Sequence, residues 1–478
     1  MFKMRMAKAA KGAALAVALA AGIGADRAGA DNLADAMIGA YNTSGLLEQN
    51  RALLRAADED VAIALAALRP VVRWTGSVGR TQGRTELGVV NSTDQTSFFN
   101  TDQTSFFNRL SAQWLVFDGG ASKLNKQAAQ ETVLATRQTL VAIEQQILFR
   151  AVSAYMSVLF QTENVALRIN NVGLLQEELR ASQDRFEVGE VTRTDVALAE
   201  SRLAASRSSL EDARGLLLQA QAEYANAVGN KPGTLAGQPK LPARPASLSE
   251  AEAVALRTHP QILSAQHQVS AAELGIMAAR SAFGPSATLN GNVDLTEFSG
   301  GNNRSTGSGV SLDFSQTIYQ GGALSAVYRR ASATRDAVRA NLLTVQRDVA
   351  QGVADAFSRF DVARANLSAT AERVRAAQVA FDGIREEATL GARTTLDVLT
   401  AEQELLDAQT SRISARAEES VAAYQLLAAQ GLLTAERLGL AVQIYDPTLY
   451  YNMVKDAPAY QSKRGQDLDR VLKALGKQ

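Results

Sequence analysis

The sequence predicts a mainly α-helical chain with a membrane β-barrel portion, built twice over from a helix, a β-hairpin and a very long helix. Three observations predict it: the placement of the prolines, a self-match at one constant offset, and four short segments in which apolar and polar residues alternate. Proline breaks helix interiors. The nine prolines leave residues 71–231 and 286–446 free of them. Each window can therefore hold elements much longer than the usual three or four turns. The two windows also match each other. Trp114-Leu115-Val116-Phe117-Asp118-Gly119-Gly120-Ala121 aligns with Gln316-Thr317-Ile318-Tyr319-Gln320-Gly321-Gly322-Ala323 at an offset of 202. Val188-Gly189 with Leu390-Gly391, Asp195-Val196 with Asp397-Val398, and Glu200 with Glu402 keep that offset, which holds from about 114 to 230.

Residues 1–30 read as a secretory signal peptide. Lys3, Arg5, Lys8 and Lys11 form a positive start, residues 13–23 are apolar, and Ala28-Gly29-Ala30 offers a small-x-small cleavage site. The apolar stretch is shorter than the ~20 residues of a spanning helix. No later run of that length follows, so any membrane crossing is expected to be made by strands.

The first repeat is expected over 31–230. It holds a helical segment at 32–69, strands near 72–79 and 109–116, a long helix over 121–188 and a shorter one near 193–229. In the long segment Leu134, Ile143, Ile147, Val152, Tyr155 and Leu159 recur at helical spacing. At 1.5 Å per residue it would run about 100 Å. Helices of that length need neighbours in a coiled-coil-like bundle. A Pro-rich linker follows at 231–249. The second repeat, over 250–432, offers a helical segment around 248–283, strands near 286–295 and 310–319, and helices over 323–389 and 395–431. Residues 433–478 form a C-terminal tail.

All four strands alternate. Val72, Trp74, Gly76 and Val78 oppose Arg73, Thr75 and Ser77. Leu110, Ala112, Trp114 and Val116 oppose Arg109, Ser111 and Gln113. Ala287, Leu289, Val293 and Leu295 oppose Thr288, Asn290, Asn292 and Asp294. Val310, Leu312 and Phe314 oppose Ser311, Asp313 and Ser315. One apolar and one polar face suit a barrel wall between lipid and a wet lumen; they also suit a soluble sheet on a core. Four strands do not close a membrane barrel, which needs about eight, so several copies must each contribute. The segments 83–108 and 296–309, rich in Gly, Ser, Thr and Asn, are expected to be loops. The first contains Thr-Asp-Gln-Thr-Ser-Phe-Phe-Asn twice in tandem, at 93–100 and 101–108. Eight residues preserve strand parity.

Several chemistries are missing. The net charge is zero, so nothing points to nucleic acid. With no cysteine there is no disulfide, thiolate metal site or lipid-anchor Cys. His259 and His267 stand eight apart and read as two polar positions on one helix. Phe117-Asp118-Gly119-Gly120-Ala121-Ser122-Lys123 lacks phosphate-loop spacing, and its repeat replaces Asp118 by Gln320; a Gly turn from strand to helix explains both copies. No nucleophile–base set is evident. Neither an enzyme nor a cofactor is expected.

The duplicated layout, the strand-to-Gly-Gly turn and the run Leu390-Gly391-Ala392-Arg393-Thr394-Thr395-Leu396-Asp397-Val398-Leu399-Thr400-Ala401-Glu402 resemble the TolC family. The echo Arg185-Phe186-Glu187-Val188-Gly189 through Thr194-Asp195-Val196 resembles it too, and the likeness covers about 31–435. The resemblance implies a homotrimer in the outer membrane, with a twelve-stranded barrel above a periplasmic α-helical barrel that closes at its inner end. It implies a belt from 231–249 and the C-terminal segment. It also implies partners: outer-membrane lipid, a periplasmic adaptor (membrane fusion) protein, and an inner-membrane ABC or proton-driven transporter. The function implied is type I protein secretion, efflux of small molecules, or both. The missing lipid-anchor Cys leans toward the secretion or general-purpose branch.

The resemblance also assigns a gate. Gly189 and Gly391 break the helices at the closed end. Arg393 is expected to link to Thr194 and Asp195 and hold the end shut. Asp397 corresponds to an inward-facing acidic ring, whose mutual repulsion should raise its pKa. Where the family pattern has a second Asp this chain has Thr400, and Glu404, seven residues past Asp397, is a candidate replacement. The competing reading is an exported coiled-coil structural or adhesin protein without channel activity, which would need neither the alternating hairpins nor the paired helix breaks.

Overall fold

The computed structural model describes residues 31–87, 97–299 and 304–474, and side chains outside 84–101. The expected signal peptide lies outside the described residues. Among the described residues, ten helices and four strands follow in order. Helices α1 (Leu33–Thr43) and α2 (Gly45–Ala66) lead into strands β1 (Val71–Leu87) and β2 (Ser97–Phe117). Then come α3 (Ala121–Glu187), α4 (Arg193–Val228), α5 (Leu248–Thr258) and α6 (Pro260–Ser281). Strands β3 (Ser286–Phe298) and β4 (Arg304–Ser315) precede α7 (Ala323–Thr389), α8 (Thr395–Ala429), α9 (Pro447–Val454) and α10 (Lys463–Ala474).

The two longest helices, α3 and α7, have 67 residues each and begin and end at the same offset of 202. Each packs against the helix that follows it, α3 with α4 and α7 with α8, while α6 bridges α3 and α7, and α8 lies along α3. None of the described helices is long and apolar enough to cross a membrane.

The upstream helical segments are each split in two, where the sequence suggested one run. Ser44 ends α1 and caps α2 through its Oγ, which accepts from Leu47 N at 3.3 Å. His259 ends α5 and caps α6, with Pro260 in the first turn. The splits serve a repeated joint. Thr43 Oγ1 donates to Val228 O at the end of α4, at 3.0 Å, and Thr258 Oγ1 donates to Gln430 O just past α8, at 2.8 Å. Thus α2 continues the path that α4 leaves, and α6 continues that of α8. Each half then runs as two long antiparallel rods from sheet to tip. The histidines do not share a helix face, since His259 is the cap and only His267 lies within α6, where Nδ1 meets Glu131 Oε2 at 2.8 Å. Among the described residues, no cluster of three metal-ligating side chains occurs.

The main core sits at mid-height. Leu148, Ala151, Val152, Tyr155 and Met156 of α3 are buried with Leu47 and Leu54 of α2, Tyr224 of α4 and Leu433. Helix α3 is apolar nearly all round here because chain covers it on several sides. The linker lies across this level: Tyr155 OH donates to Gly237 O at 3.0 Å and Tyr424 OH to Lys240 O at 3.3 Å. The tail then runs up α2 and α3. Tyr450 OH donates to Glu59 at 2.7 Å, Gln130 Nε2 donates to Tyr451 OH at 2.8 Å, and Arg69 reaches the carbonyls of Asp456 and Ala457.

The sheet order is β1-β2-β3-β4, antiparallel throughout, so β2 and β3 join the two hairpins. Val72, Ala112, Gly291 and Val310 stand opposite one another, as do Trp74, Leu110 and Val293. These share the apolar face. The other face carries Arg109 against Asp294, with Asn292 donating to Asp294 and Ser311 to Asp313. The strands extend much further than their alternation suggested. Residues 97–108, expected in a loop, pair in register with 76–87. The tandem octapeptide therefore lies largely in β2: 97–100 and the whole second copy are strand, while 93–96 fall outside the described residues. Its even length lets polar Thr, Gln and Ser positions continue the ladder without reversing the faces. Conversely, β4 stops at Ser315 rather than 319. Its partner β3 starts at Ser286, after Pro285, which has no N–H to extend the pairing.

Candidate functional site

The tips opposite the sheet are two copies of one design. At the first, Val188 caps the end of α3, Gly189 turns with φ 81°, and Glu190 N returns to Arg185 O at 2.9 Å. At the second, Leu390 caps the end of α7, Gly391 turns with φ 77°, and Ala392 N returns to Glu387 O at 2.9 Å. A Cβ at either glycine would meet nothing within 4 Å. The left-handed backbone, not crowding, is what calls for glycine there.

The next helix starts with a capping box in each copy. Asp195 Oδ2 accepts from Thr192 N at 2.9 Å and Thr192 Oγ1 at 2.7 Å, while Asp195 N donates to Thr192 Oγ1. Asp397 Oδ2 accepts from Thr394 N at 3.0 Å and Thr394 Oγ1 at 2.9 Å, with Asp397 N on Thr394 Oγ1. Sequence reasoning missed this, although Thr-x-x-Asp before an apolar run was its signal. These hydrogen bonds hold both carboxyls below the usual carboxylate range. For Asp397 that is opposite to the expected rise. The capping bonds act within one chain; a ring of like charges acts between copies.

Within one chain, Arg393 is not brought to Thr194 and Asp195. Its Nε donates to Glu387 Oε2 at 2.7 Å, across its own tip. Asp195 is held by Thr192, and Thr194 is exposed. Asp397, Thr400 and Glu404 do share one stripe of α8. Thr400 and Glu404 are exposed, and Thr400 Oγ1 turns back to Leu396 O at 2.8 Å. The opposite stripe, Val398, Leu399, Ala401, Leu405 and Leu406, is buried.

One member of that buried stripe is Glu402, only 3% exposed. Its Oε1 accepts from Asn171 Nδ2 of α3 at 2.7 Å, and Asn171 Oδ1 accepts from Ser206 Oγ of α4 at 2.5 Å. Glu402 Oε2 is buried without a partner among the described residues. Arg168 and Arg202 line the same small cavity, and Arg385 pairs with nearby Glu178 at 3.6 Å. Burial, then the Glu178 charge, raise the carboxyl pKa to about 7, against the opposing pull of Asn171, Arg202 and Arg385. A charge interrupting the apolar stripe Leu399–Leu406 was visible in the sequence; that it is buried against α3 was not.

At the opposite end, the sheet's apolar face has no covering layer in the single chain. Trp74 is 69% exposed, Val310 82% and Phe314 74%. Among the described residues, the outer edges of β1 and β4 are unpaired.

A family model described as outer membrane efflux protein matches residues 40–230 and 253–432. The outer membrane efflux protein BepC of Brucella suis is 35% identical over 432 residues, covering 89% of this chain and 91% of that protein. The alkaline protease secretion protein AprF of Pseudomonas aeruginosa is 26% identical, covering 74% and 75%. The solved CmeC outer membrane channel of Campylobacter jejuni shares the fold, with a TM-score of 0.72 at 16% identity over 89% of each chain.

Proposed function

The chain belongs to the outer membrane efflux protein family, and on that premise we propose that three copies form one duct from the periplasm through the outer membrane. The function is export: the chain is an outer-membrane channel protein serving efflux or type I secretion. The observation that carries the trimer is the four-stranded sheet with an apolar face bare to the surroundings and two free edges. Free backbone edges are not tolerated in lipid. Three copies give twelve strands, within the range of closed barrels. The rods then line a helical tunnel, and the glycine tips lie at its far, periplasmic end. This organisation supports a conduit rather than a catalyst.

The tips form the gate. Asp397 lines the constriction, with Glu404 about two turns along α8 in place of a second Asp and Thr400 as a neutral member. A ring of carboxylates favours cations. Arg393, paired with Glu387 inside its own chain, meets Thr194 and Asp195 of a neighbouring copy. Gly189 and Gly391 are the turns about which the tips move. The linker at 231–249 and the segment after 433 form a belt at mid-height. A periplasmic adaptor and an inner-membrane ABC or proton-driven transporter dock at or below it. The pairing of an efflux relative with a protease-secretion relative supports a general-purpose exit serving both kinds of cargo.

The test is single-channel conductance in planar bilayers, with native mass measured in detergent. A trimer giving a small, cation-preferring conductance that increases in Arg393→Ala is expected. A trimer whose conductance ignores Arg393→Ala removes the gate assignment; folded protein with no conductance removes the duct.

A further inference from the structure

The internal duplication carries information about contacts the single chain does not contain. Within the chain, the helices of the two halves meet mainly where α3 of the first packs along α6 and α8 of the second, while α4 and α7 are not packed together. The seam between α3 and α8 is marked near the tips by Asn171 of α3 bonded to Glu402 of α8. Because α3 and α7, and α4 and α8, start at an offset of 202, every position in this seam has a counterpart. In a closed ring of alternating halves, the second kind of seam joins α7 of one copy to α4 of the next, with roles exchanged. The counterpart of Asn171 is Arg373, on α7. The counterpart of Glu402 is Glu200, on α4.

We infer that Glu200 of one copy and Arg373 of the next form an ion pair across each seam between copies, taking the place that Asn171 and Glu402 hold within a copy. The inference rests on the trimer reading above. Three observations support it. Both residues are exposed in the single chain, and among the described residues neither side chain has a partner. Their charges are complementary, although nothing in the duplication required Asn171 to become a cation. A large apolar side chain stands on the Glu200 face of α4: Leu218, five turns on, is 67% exposed, while its counterpart Ser420 is fully buried.

The exchange also alters the surroundings. Glu178, whose charge crowds Glu402, has Ala380 as its counterpart. The seam between copies therefore lacks that competing carboxylate. The five donors of a guanidinium suit such a position. The seams around the ring thus alternate between a neutral amide holding a buried carboxyl and a charge pair between copies.

Cross-linking tests this directly, because the chain has no cysteine. Side chains of this length hold backbones beyond disulfide reach, so a short bis-maleimide is the reagent. In Glu200→Cys/Arg373→Cys, it should convert the native trimer to a covalent trimer under denaturing conditions. In Asn171→Cys/Glu402→Cys, it should link within a chain, giving single-chain mass with both thiols consumed. A native trimer in which the first pair stays at single-chain mass would overturn the inference while keeping the trimer. A chain that is not trimeric by native mass would overturn both. Charge exchange supplies the second measurement: Glu200→Arg should lower the fraction of trimer surviving detergent at least several-fold, and Glu200→Arg/Arg373→Glu should restore it. Equal loss in the single and double variants would also overturn the pair.

Discussion

Asn171 of α3 donates to Glu402 of α8 at 2.7 Å, joining the two halves of the chain through a carboxyl that is almost wholly buried and half satisfied. The contact lies two turns into α8 from the Gly391 tip, so its protonation state bears on how firmly the tips are held.

The seam is expected to be firmer at pH 5 than at pH 8. The Glu402 pKa is raised from 4.5 to about 7, so the folded state holds a proton that the unfolded chain releases. Stability is then full below about pH 4.5 and falls as pH rises toward 7, by at most about 3 kcal/mol. Hydrogen exchange of the 395–406 backbone, followed from pH 5 to 8, should show increasing opening. Glu402→Gln should flatten that dependence; an unchanged pH profile in the variant would mean another group titrates.

Arg393→Ala should change unfolding free energy little, because its pair with Glu387 is exposed on both sides. The gate assignment requires conductance to rise in the same variant. Thermal unfolding and conductance measured together separate a gating effect from general loosening.

Gly391→Ala places a Cβ on a residue at φ 77°. Strain of about 1–2 kcal/mol is expected, and Gly391→Asn should recover part of it. Since a Cβ meets no neighbour there, equal destabilisation by both would point to lost space rather than backbone strain. Thermal melts of the two variants decide this.

Val310→Arg should block stable insertion into bilayers, at a cost of about 2–4 kcal/mol for a charge facing mid-membrane lipid. Ser311→Arg, on the polar face, should be tolerated and alter ion preference instead. Fractionation of outer membranes followed by conductance would show the contrast. The opposite pattern would invert the faces of the sheet.

Val454→Asp should release the tail from α2 and α3. Val454 is fully buried, and Tyr450 binds Glu59 beside Asp58, whose carboxyl is pushed up to about 6, chiefly by burial. Limited proteolysis should then cut between 446 and 463 in the variant and spare the parent. Equal protection would mean the tail is not held by this contact.

The rods, hairpins and duplication were legible because they rest on local rules. Proline exclusion frees the long windows, side-chain periodicity separates helix from strand, and a fixed offset survives without any knowledge of contacts. Gly189 and Gly391 were legible for the same reason: a left-handed turn leaves its mark at one position. The lengths of β1 and β2 were not. Gly, Ser and Thr around the tandem octapeptide look like a loop until a partner strand satisfies their backbone groups, and pairing is decided by residues 10 to 32 positions away.

The partners of charged side chains were likewise decided by the tertiary structure. Sequence placed Asp195, Arg393 and Asp397 at the tips, but short-range geometry gave each a neighbour in its own turn: Thr192, Glu387 and Thr394. Glu402 differs from Glu200 only in what packs beside it. In the folded chain α3 buries the first, and the second stays exposed. Burial is a property of the neighbouring helix, so two carboxylates that are equivalent along the chain become unequal only when α3 packs beside one of them.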